Sequence, residues 1–400
     1  MRCSLRHSSA HKCLRLAVFD VLAKELSARQ GAESLKFFGS GKESLYRIFK
    51  NIRRLSDKKV VAISAYTCPE IAAAAVCAGF KVFPVDILEG TLDLNGASVS
   101  DSQCGSFAAV VLSNLYGMVD KLALWAERQE AHDFFIIDDA CQSFLSRDGS
   151  FYVGCRPNTI GVMSFGRGKA YSCLGGGAVF FSRKAEENEG LRQLRRLIED
   201  EERVVCGSLR RNVTEVLGLM LSFSYWLLER PSLYGLTEYL PYSHLGETTF
   251  SKGVICREMA LVSALAALAQ DEFLDAIKSN RTTNALLWGK GISQAAYVQP
   301  ILNRHSSLEN GDVVPNRYPV LCASAQVRQE VVMQLSSAGL GASFSYDKVL
   351  ADFAGLRPHL VSEKCDVARD VAHRLFTLPV HAYVRESDIE KGCRIINECG

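Results

Sequence analysis

The chain has 400 residues, 48% of them apolar, which is enough for a large buried core and suggests two or more domains. Lysine and arginine number 46 against 44 aspartate and glutamate residues, so the net charge is +2 and no overall field favours nucleic acid or an anionic membrane surface. The 14 cysteines are scattered without a Cys-x-x-Cys pair, and we interpret them as reduced residues of a cytoplasmic protein.

Residues 1–33 are predicted to form an amino-terminal arm followed by a helix. Four lysine or arginine residues precede the first acidic residue, Asp20, but the uninterrupted apolar run of a signal peptide is missing. We therefore interpret the beginning of the chain as a solvated arm. The apolar residues that predict one face of the helix are Leu16, Phe19, Leu22 and Leu26.

A short glycine-rich stretch, Phe38 to Ser44, opens a second predicted helix. Small residues at the start of a helix leave backbone N–H groups free at the positive end of the helix dipole, and such a terminus binds anions. Ser40, Gly41 and Lys42 are therefore candidates for holding a phosphate group. Serine-glycine turns also cap helices for structural reasons alone, so this motif by itself leaves both interpretations open.

From Lys59 to Phe181 short apolar segments alternate with helical ones. The predicted strands are residues 60–63, 82–85, 108–112, 134–137, 160–165 and 178–181, and the predicted helices are residues 69–78 and 122–131. This alternation predicts an α/β fold in which right-handed crossovers build a mostly parallel sheet flanked by helices on both faces. Ligands bind such a sheet at the carboxyl ends of its strands.

Two aspartates, Asp138 and Asp139, directly follow the predicted strand 134–137 and are expected at this edge of the sheet. We interpret Asp138 as a strand-terminating acid that faces solvent. Asp139 is the better functional candidate for binding a cofactor with a pyridine ring. A carboxylate beside the pyridine nitrogen keeps that nitrogen protonated, and the ring can then accept electrons. Gln142, three residues on, is placed to reach the same ring or its phosphate.

Lys169 lies in a glycine-rich loop just after the predicted strand 160–165. A lysine amine at a strand end, with few bulky neighbours, can form a Schiff base with the aldehyde of pyridoxal phosphate. This cofactor also needs a carboxylate at its ring nitrogen, donors for its phosphate and a wall for its ring. Asp139 and the segment that begins at Ser40 are candidates for the first two.

Nucleotide-binding motifs do not fit these glycines. A P-loop requires a glycine five residues before Gly168, where the chain has Met163. The dinucleotide pattern Gly-x-Gly-x-x-Gly begins at Gly39 but meets Ser44 in place of the third glycine.

Several stretches together carry a family resemblance. Ile137 to Gln142, and Ser164 to Lys169 followed by a Gly-Gly-Ala-Val strand, resemble motifs of the DegT/StrS-type sugar aminotransferases, which are pyridoxal-phosphate enzymes of fold type I. Residues 60–86, Asn114 to Gly117 and Leu378 to His381 resemble other segments of that family. The similarity extends over about residues 35–398, and Lys169 and Asp139 are its most specific points.

The resemblance implies a role for each matching residue. Lys169 would be the Schiff-base lysine that also moves protons, and Asp139 the partner of the pyridinium nitrogen. Gln142 would contact the cofactor ring and Ser164 its phosphate, while the helix start at residues 40–42 would bind the phosphate as well.

The sequence departs from the family at three places. Thr67 and Cys68 are predicted cofactor contacts, but many members carry an aromatic ring-stacking residue where Cys68 stands. Gly175 replaces an acid that is common before the Gly-Gly pair, and Arg257 is interpreted as the remnant of an Asn-Tyr-Arg motif that contacts the neighbouring subunit's site. These departures bear on substrate choice and leave the cofactor chemistry in place.

The chain is predicted to divide at residue 250 into a large cofactor-binding domain, 1–250, and a small α+β domain, 251–400. The large domain would end in an apolar helix at 213–230, whose 13 uncharged residues 216–228 are too few to span a bilayer and are interpreted as buried between domains or subunits. The small domain is predicted to contain a helix at 257–270, a strand at 318–322, a helix that ends at Gly339 and a last helix with a capping box formed by Ser387 and Glu390.

No pair of histidines at metal-ligand spacing has carboxylates nearby, so no metal is predicted. His244 and His381 are interpreted as structural residues, since a single histidine beside apolar neighbours is more often structural than catalytic.

The leading hypothesis is a pyridoxal-phosphate-dependent aminotransferase. The resemblance implies that it moves an amino group from an amino acid to a keto sugar linked to a nucleotide, with glutamate as the expected donor. Two alternatives stay open: a cofactor-binding regulatory or accessory protein that has lost turnover, and another reaction of the same cofactor. By analogy with fold-type relatives we expect a homodimer. The cysteine pattern, the near-zero net charge and the short apolar run lead us to expect a cytoplasmic protein with no nucleic-acid partner and no transmembrane segment.

Overall fold

The computed structural model describes residues 2–182, 188–201, 250–302 and 308–399. Over these ranges, no helix combines the length and the apolar character needed to cross a membrane. The predicted apolar helix at 213–230 and His244 lie outside the described residues.

A seven-stranded sheet organises the first part of the chain. Its strands are β1 (Ala32–Phe38), β2 (Val60–Ser64), β3 (Lys81–Val85), β4 (Phe107–Ser113), β5 (Phe135–Asp139), β8 (Thr159–Ser164) and β9 (Gly177–Ser182), while β6 (Arg147–Asp148) and β7 (Phe151–Tyr152) pair separately. The order across the sheet is β1-β9-β8-β5-β4-β2-β3. Neighbours from β3 to β8 are parallel, and β9 runs antiparallel to both β8 and β1. The predicted mostly parallel sheet is confirmed.

Helices cover both faces of this sheet. They are α1 (Arg2–Gln30), α2 (Gly41–Leu55), α3 (Pro69–Cys77), α4 (Asp101–Ser106), α5 (Leu122–His132), α6 (Glu189–Glu199) and α7 (Leu261–Asp271). Successive side chains of a strand point to opposite faces. Val61 and Ile63 accordingly share a core with α2, α3 and α6, whereas Ala62 between them packs in a core with Trp125 of α5.

The second unit is α+β, as predicted. Its antiparallel sheet consists of β10 (Val298–Pro300), β11 (Tyr318–Cys322) and β12 (Leu375–Leu378), and its helices are α8 (Leu274–Ile292), α9 (Ala325–Ser337), α10 (Asp366–Arg374) and α11 (Glu386–Glu398). Trp288, Val331, Val371 and Ile396 bring these helices into one buried core.

Helix α7 packs with the first unit. Ala264 and Ala267 share a buried cluster with Phe19 and Leu22 of α1. Helix α7 thus packs on α1, and the division of the chain at residue 250 stays a prediction.

The beginning of the chain is less solvated than predicted. Phe19, Leu22 and Leu26 are buried as expected, but Leu16 is 39% exposed. Arg15 is buried: its guanidinium donates to the carbonyl of Met259 at 2.5 Å and pairs with Glu258 at 3.1 Å. The prediction of a solvated arm is wrong for Arg15, because the segment before α7 supplies acceptors that α1 alone does not reveal.

The capping box predicted for the last helix is also wrong. Helix α11 begins at Glu386, so Ser387 lies within its first turn. The N–H of Arg385 donates to the carboxylate of Asp388 at 3.1 Å, and the Arg385 side chain pairs with the same carboxylate. This pair occupies the positions that we predicted for Ser387 and Glu390.

Candidate functional site

A cavity of about 200 Å³ opens at the carboxyl ends of the parallel strands, beside the start of α2. It is lined by every residue that was predicted to contact the cofactor: Ser40, Gly41, Lys42, Thr67, Cys68, Asp139, Gln142, Ser164 and Lys169. These residues come from separate stretches of the chain, and the sheet brings them together because parallel strands end at one edge. Their individual roles stay predictions.

Asp139 ends β5 and is 8% exposed. Its carboxylate accepts a hydrogen bond from the backbone N–H of Cys141 at 2.9 Å. Burial raises the pKa of the Asp139 carboxyl, while the Cys141 thiol, the Cys141 N–H and the positive charge of Lys169 act in the opposite direction. The positive charge of Lys169 therefore favours the carboxylate form of Asp139, against the effect of burial.

Asp138 does not face solvent, and that prediction is wrong. It is fully buried, and the guanidinium of the equally buried Arg156 holds its two oxygens at 2.7 and 2.9 Å. The N–H of Gly154 and the side-chain amide of Asn114 donate to the same carboxylate at 2.7 and 2.8 Å. Because successive strand residues point to opposite faces, Asp138 is directed away from the cavity that Asp139 lines.

The start of α2 lies against the end of β8. Ser40 is the N-cap, and its hydroxyl accepts a hydrogen bond from the N–H of Glu43 at 3.1 Å. A Cβ atom at Gly41 would lie 2.8 Å from the Cβ of Ser164, closer than side chains tolerate. Glycine is therefore required where the helix start meets Ser164, and the two candidate phosphate-binding segments are adjacent.

Lys42 is already paired within the cavity lining. Its ammonium lies 2.8 Å from the carboxylate of Glu70 in the first turn of α3. It also donates to the carbonyl and hydroxyl of Ser251 at 2.8 and 3.0 Å. Sequence reasoning missed Glu70, although its place three residues after Thr67 at a strand end could have suggested it.

The loop that carries Lys169 depends on glycines and on the second unit. Gly168 has a φ of +73°, and Gly175, where relatives commonly have an acid, has a φ of +146°. Both values are unfavourable for residues with a Cβ, so the glycine at position 175 has a backbone reason. The side-chain amide of Asn316 donates to the carbonyl of Gly168 at 3.0 Å and holds the loop next to Lys169.

Two hydroxyl groups in the lining are buried without a hydrogen-bond partner among the described residues. They are Oγ1 of Thr67, a residue 1% exposed, and Oγ of Ser113, a residue 6% exposed. Leaving a buried polar group unpaired costs about 1–3 kcal/mol, so such groups in a cavity indicate a polar ligand. Ser113 ends β4 and was not predicted from the sequence, although the strand-end rule would have included it.

Gln142 is held from both sides. Its side-chain oxygen accepts from the backbone N–H of Tyr116 at 3.0 Å, and its amide nitrogen donates to the hydroxyl of Tyr346 at 2.8 Å. Tyr346 belongs to the second unit and lines the cavity. Its loop has no periodic pattern, so no signal in the sequence pointed to it.

These residues fit pyridoxal phosphate. A helix start suited to an anion, two unpaired hydroxyls, a buried carboxylate and a lysine border one cavity. Asp139 would face the ring nitrogen, Lys169 the aldehyde, and the segment at Ser40 the phosphate.

The sequence matches one family model. The DegT/DnrJ/EryC1/StrS aminotransferase family matches residues 22–206, the stretch that contains Asp139 and Lys169. This match confirms the predicted resemblance and supports an enzyme of the pyridoxal-phosphate-dependent transaminase class. No curated protein sequence gives a significant match.

Solved structures share the fold over nearly the whole chain. An aminotransferase from Brucella abortus, described by the same four family names, is 18% identical with a TM-score of 0.69, and the match covers 95% of this chain and 89% of that one. PseC from Helicobacter pylori, an aminotransferase involved in the biosynthesis of pseudoaminic acid, is 15% identical with a TM-score of 0.71, covering 97% and 95%. DesV from S. venezuelae is 15% identical with a TM-score of 0.69, covering 99% and 96%. At these identities the structures show a common fold.

Proposed function

We propose that this protein is a pyridoxal-phosphate-dependent aminotransferase that transfers an amino group from an amino acid, glutamate in the first instance, to a keto sugar linked to a nucleotide. The observation that carries the proposal is the convergence of Lys169, Asp139 and the start of α2 on one cavity. Their residue types match the three needs of the cofactor, namely an amine, a carboxylate and an anion-binding helix start.

The chain's own residues would divide the chemistry between them. Pyridoxal phosphate, when bound, supplies an aldehyde for amines and a ring that accepts electrons from a breaking Cα–H bond. Lys169 would hold the cofactor through its side-chain amine and, when that amine is free, would move the proton at the substrate Cα. Asp139 would accept a hydrogen bond from the ring nitrogen and keep it protonated, which its contact with the N–H of Cys141 favours.

The proposal of a sugar as the amino acceptor is supported by the family match and by one structural neighbour. The matching family is one of aminotransferases, and one neighbour of the same fold is described as acting in pseudoaminic acid biosynthesis. A homodimer with the site close to the subunit interface is proposed by analogy with proteins of this fold, and the cytoplasm is proposed from the scattered cysteines.

The test is a half-reaction with glutamate. We expect purified protein incubated with pyridoxal phosphate and dialysed to keep the absorbance band of the bound cofactor, and glutamate to convert it to the pyridoxamine form. Lys169→Ala should slow this conversion by at least about 100-fold, the usual contribution of a positioned acid or base. Lys290→Ala, which changes an exposed lysine of α8, is the matched control and should behave as the wild type.

Two results would contradict the proposal in different ways. If wild-type protein stays colourless after incubation with pyridoxal phosphate, the cavity is not a site for this cofactor. Bound cofactor that glutamate and other amino acids leave unchanged would favour a regulatory or accessory protein.

A further inference from the structure

We propose that Tyr346 of the second unit forms the aromatic wall against which the ring of pyridoxal phosphate packs. This inference rests on the proposed function, since it assigns a contact to the same cofactor. Among the described residues that line the cavity, Tyr346 is the one with an aromatic side chain. A flat pyridine ring makes its most favourable packing contacts with another flat ring, so Tyr346 is the residue that we assign to this contact.

The described residues of the first unit place no aromatic side chain in the lining of the cavity. Cys68 lines the cavity at the N-cap of α3, and its side chain offers one sulfur atom and no flat face. Burial raises the pKa of the Cys68 thiol, so it is a small neutral group. Within the described lining, the aromatic surface therefore comes from the second unit.

The loop that carries Tyr346 is fixed at both ends. Ser343 exchanges two backbone hydrogen bonds with Thr377 of β12, at 2.8 and 3.0 Å. At the other end, the N–H of Leu350 donates to the carbonyl of Ala65, just after β2, at 2.9 Å. Between these anchors Ser345 has a φ of +62°, an uncommon conformation for a residue with a Cβ. The backbone is thus turned so that Tyr346 lines the cavity.

The ring of Tyr346 is also held from its sides. Its hydroxyl accepts the hydrogen bond from Gln142 at 2.8 Å. The ring of Tyr66 lies 5.7 Å away at an interplanar angle of 81°, an edge-to-face contact, and the hydroxyl of Tyr66 is itself bonded to that of Tyr116 at 2.9 Å. Contacts at the hydroxyl and between rings fix the orientation of Tyr346 in advance, which lowers the entropy cost of packing a cofactor against it.

Tyr346 also lies close to the groups that would surround the cofactor ring. The charges of Asp139 and the thiols of Cys68 and Cys141 all act on its phenol, and burial raises its pKa well above the usual value. The phenol therefore stays neutral and adds no repulsion towards a phosphate. Because the wall belongs to the second unit, cofactor binding would be coupled to the position of that unit.

The experiment measures binding of 4′-deoxypyridoxine 5′-phosphate, an analogue without an aldehyde, to apoprotein by calorimetry. Because this probe forms no Schiff base, its affinity reports the non-covalent contacts of ring and phosphate. We expect Tyr346→Ala to weaken binding about 10- to 100-fold, as loss of one ring-stacking partner does elsewhere. Tyr346→Phe, which keeps the ring, should stay within about 3-fold of the wild type.

Tyr383→Ala is the matched control, since it removes a half-exposed tyrosine of the second unit that does not line the cavity. It should bind the probe as the wild type does. Should Tyr346→Ala fail to fold, as judged by circular dichroism, Tyr346→Leu replaces it as a variant with side-chain bulk but no flat face, and the same loss is expected.

Three outcomes separate the hypotheses. If the Tyr346→Ala or Tyr346→Leu variant binds the probe as tightly as the wild type, Tyr346 is not the wall for the cofactor ring. An equal loss in Tyr346→Phe would overturn it too, because the hydroxyl and not the ring would then be responsible. Wild-type apoprotein that binds neither the probe nor pyridoxal phosphate would contradict the proposed function itself.

Discussion

Replacing Asp138 with alanine should destabilise the protein strongly, because it removes the buried carboxylate that neutralises the buried guanidinium of Arg156. Asp138 and Arg156 are both fully buried and joined by two hydrogen bonds at 2.7 and 2.9 Å. The variant also removes the acceptor for the N–H of Gly154 and the amide of Asn114. Removing one partner of a buried ion pair costs about 3–5 kcal/mol, because the other charge remains desolvated.

The same arginine provides the control. Asp148 also pairs with Arg156, at 3.2 Å, but its side chain is 52% exposed. Exposed pairs contribute about 0–1 kcal/mol, so Asp148→Ala should change the free energy of unfolding little. Urea denaturation followed by circular dichroism measures both variants. Equal shifts of the two midpoints, or a near-neutral Asp138→Ala, would refute the assignment of the buried pair as a structural support of β5.

Two further predictions concern the helix start and a second buried acid. Gly41→Ala should weaken pyridoxal phosphate binding at least 10-fold, because the added Cβ would collide with Ser164. Gly253→Ala is the control and should have no effect, since nothing lies within 4 Å of a Cβ at that position. Equal affinities of the two variants would contradict the predicted collision. Burial, and then the charge of Asp93, raise the pKa of Asp120 from 3.8 to about 7, so the folded protein holds this proton longer than the unfolded chain. The free energy of unfolding should therefore fall as pH rises from about 4 to 7. Asp120→Asn should reduce this fall when thermal unfolding is measured across the same pH range. An unchanged slope of stability against pH would contradict the assignment to Asp120.

Much of the first unit could be predicted from the sequence, because its strands are short, apolar and separated by helices. Each predicted strand between residues 60 and 181 overlaps an observed one, and residue 139 ends β5 at the carboxyl edge of the sheet. The rule that parallel strands end at one edge then places Asp139, Ser164 and Thr67 together without any knowledge of their contacts.

The sequence did not reveal that Asp138 is buried like Asp139. Both follow the same apolar run, and the burial of Asp138 depends on Arg156, which a loop 18 residues further on brings beneath the strand. Tyr346 was out of reach for a related reason. Its position depends on a positive φ at Ser345 and on hydrogen bonds to Thr377 and Ala65, none of which leaves a periodic pattern.

The charges around the cavity indicate how a phosphate would be held there. The cavity lining contains two lysines, Lys42 and Lys169, and two acidic residues, Glu70 and Asp139, so the formal charges of these four residues cancel. Since Lys42 is engaged by Glu70 at 2.8 Å, attraction to a phosphate would depend mainly on fixed dipoles, namely the start of α2 and the nearby hydroxyl groups. Dipoles act in set directions, whereas a net charge attracts an anion from any side. An anchor of this kind would fix where the phosphate sits, and with it the distance from the ring to Lys169 and Asp139 on which proton transfer depends.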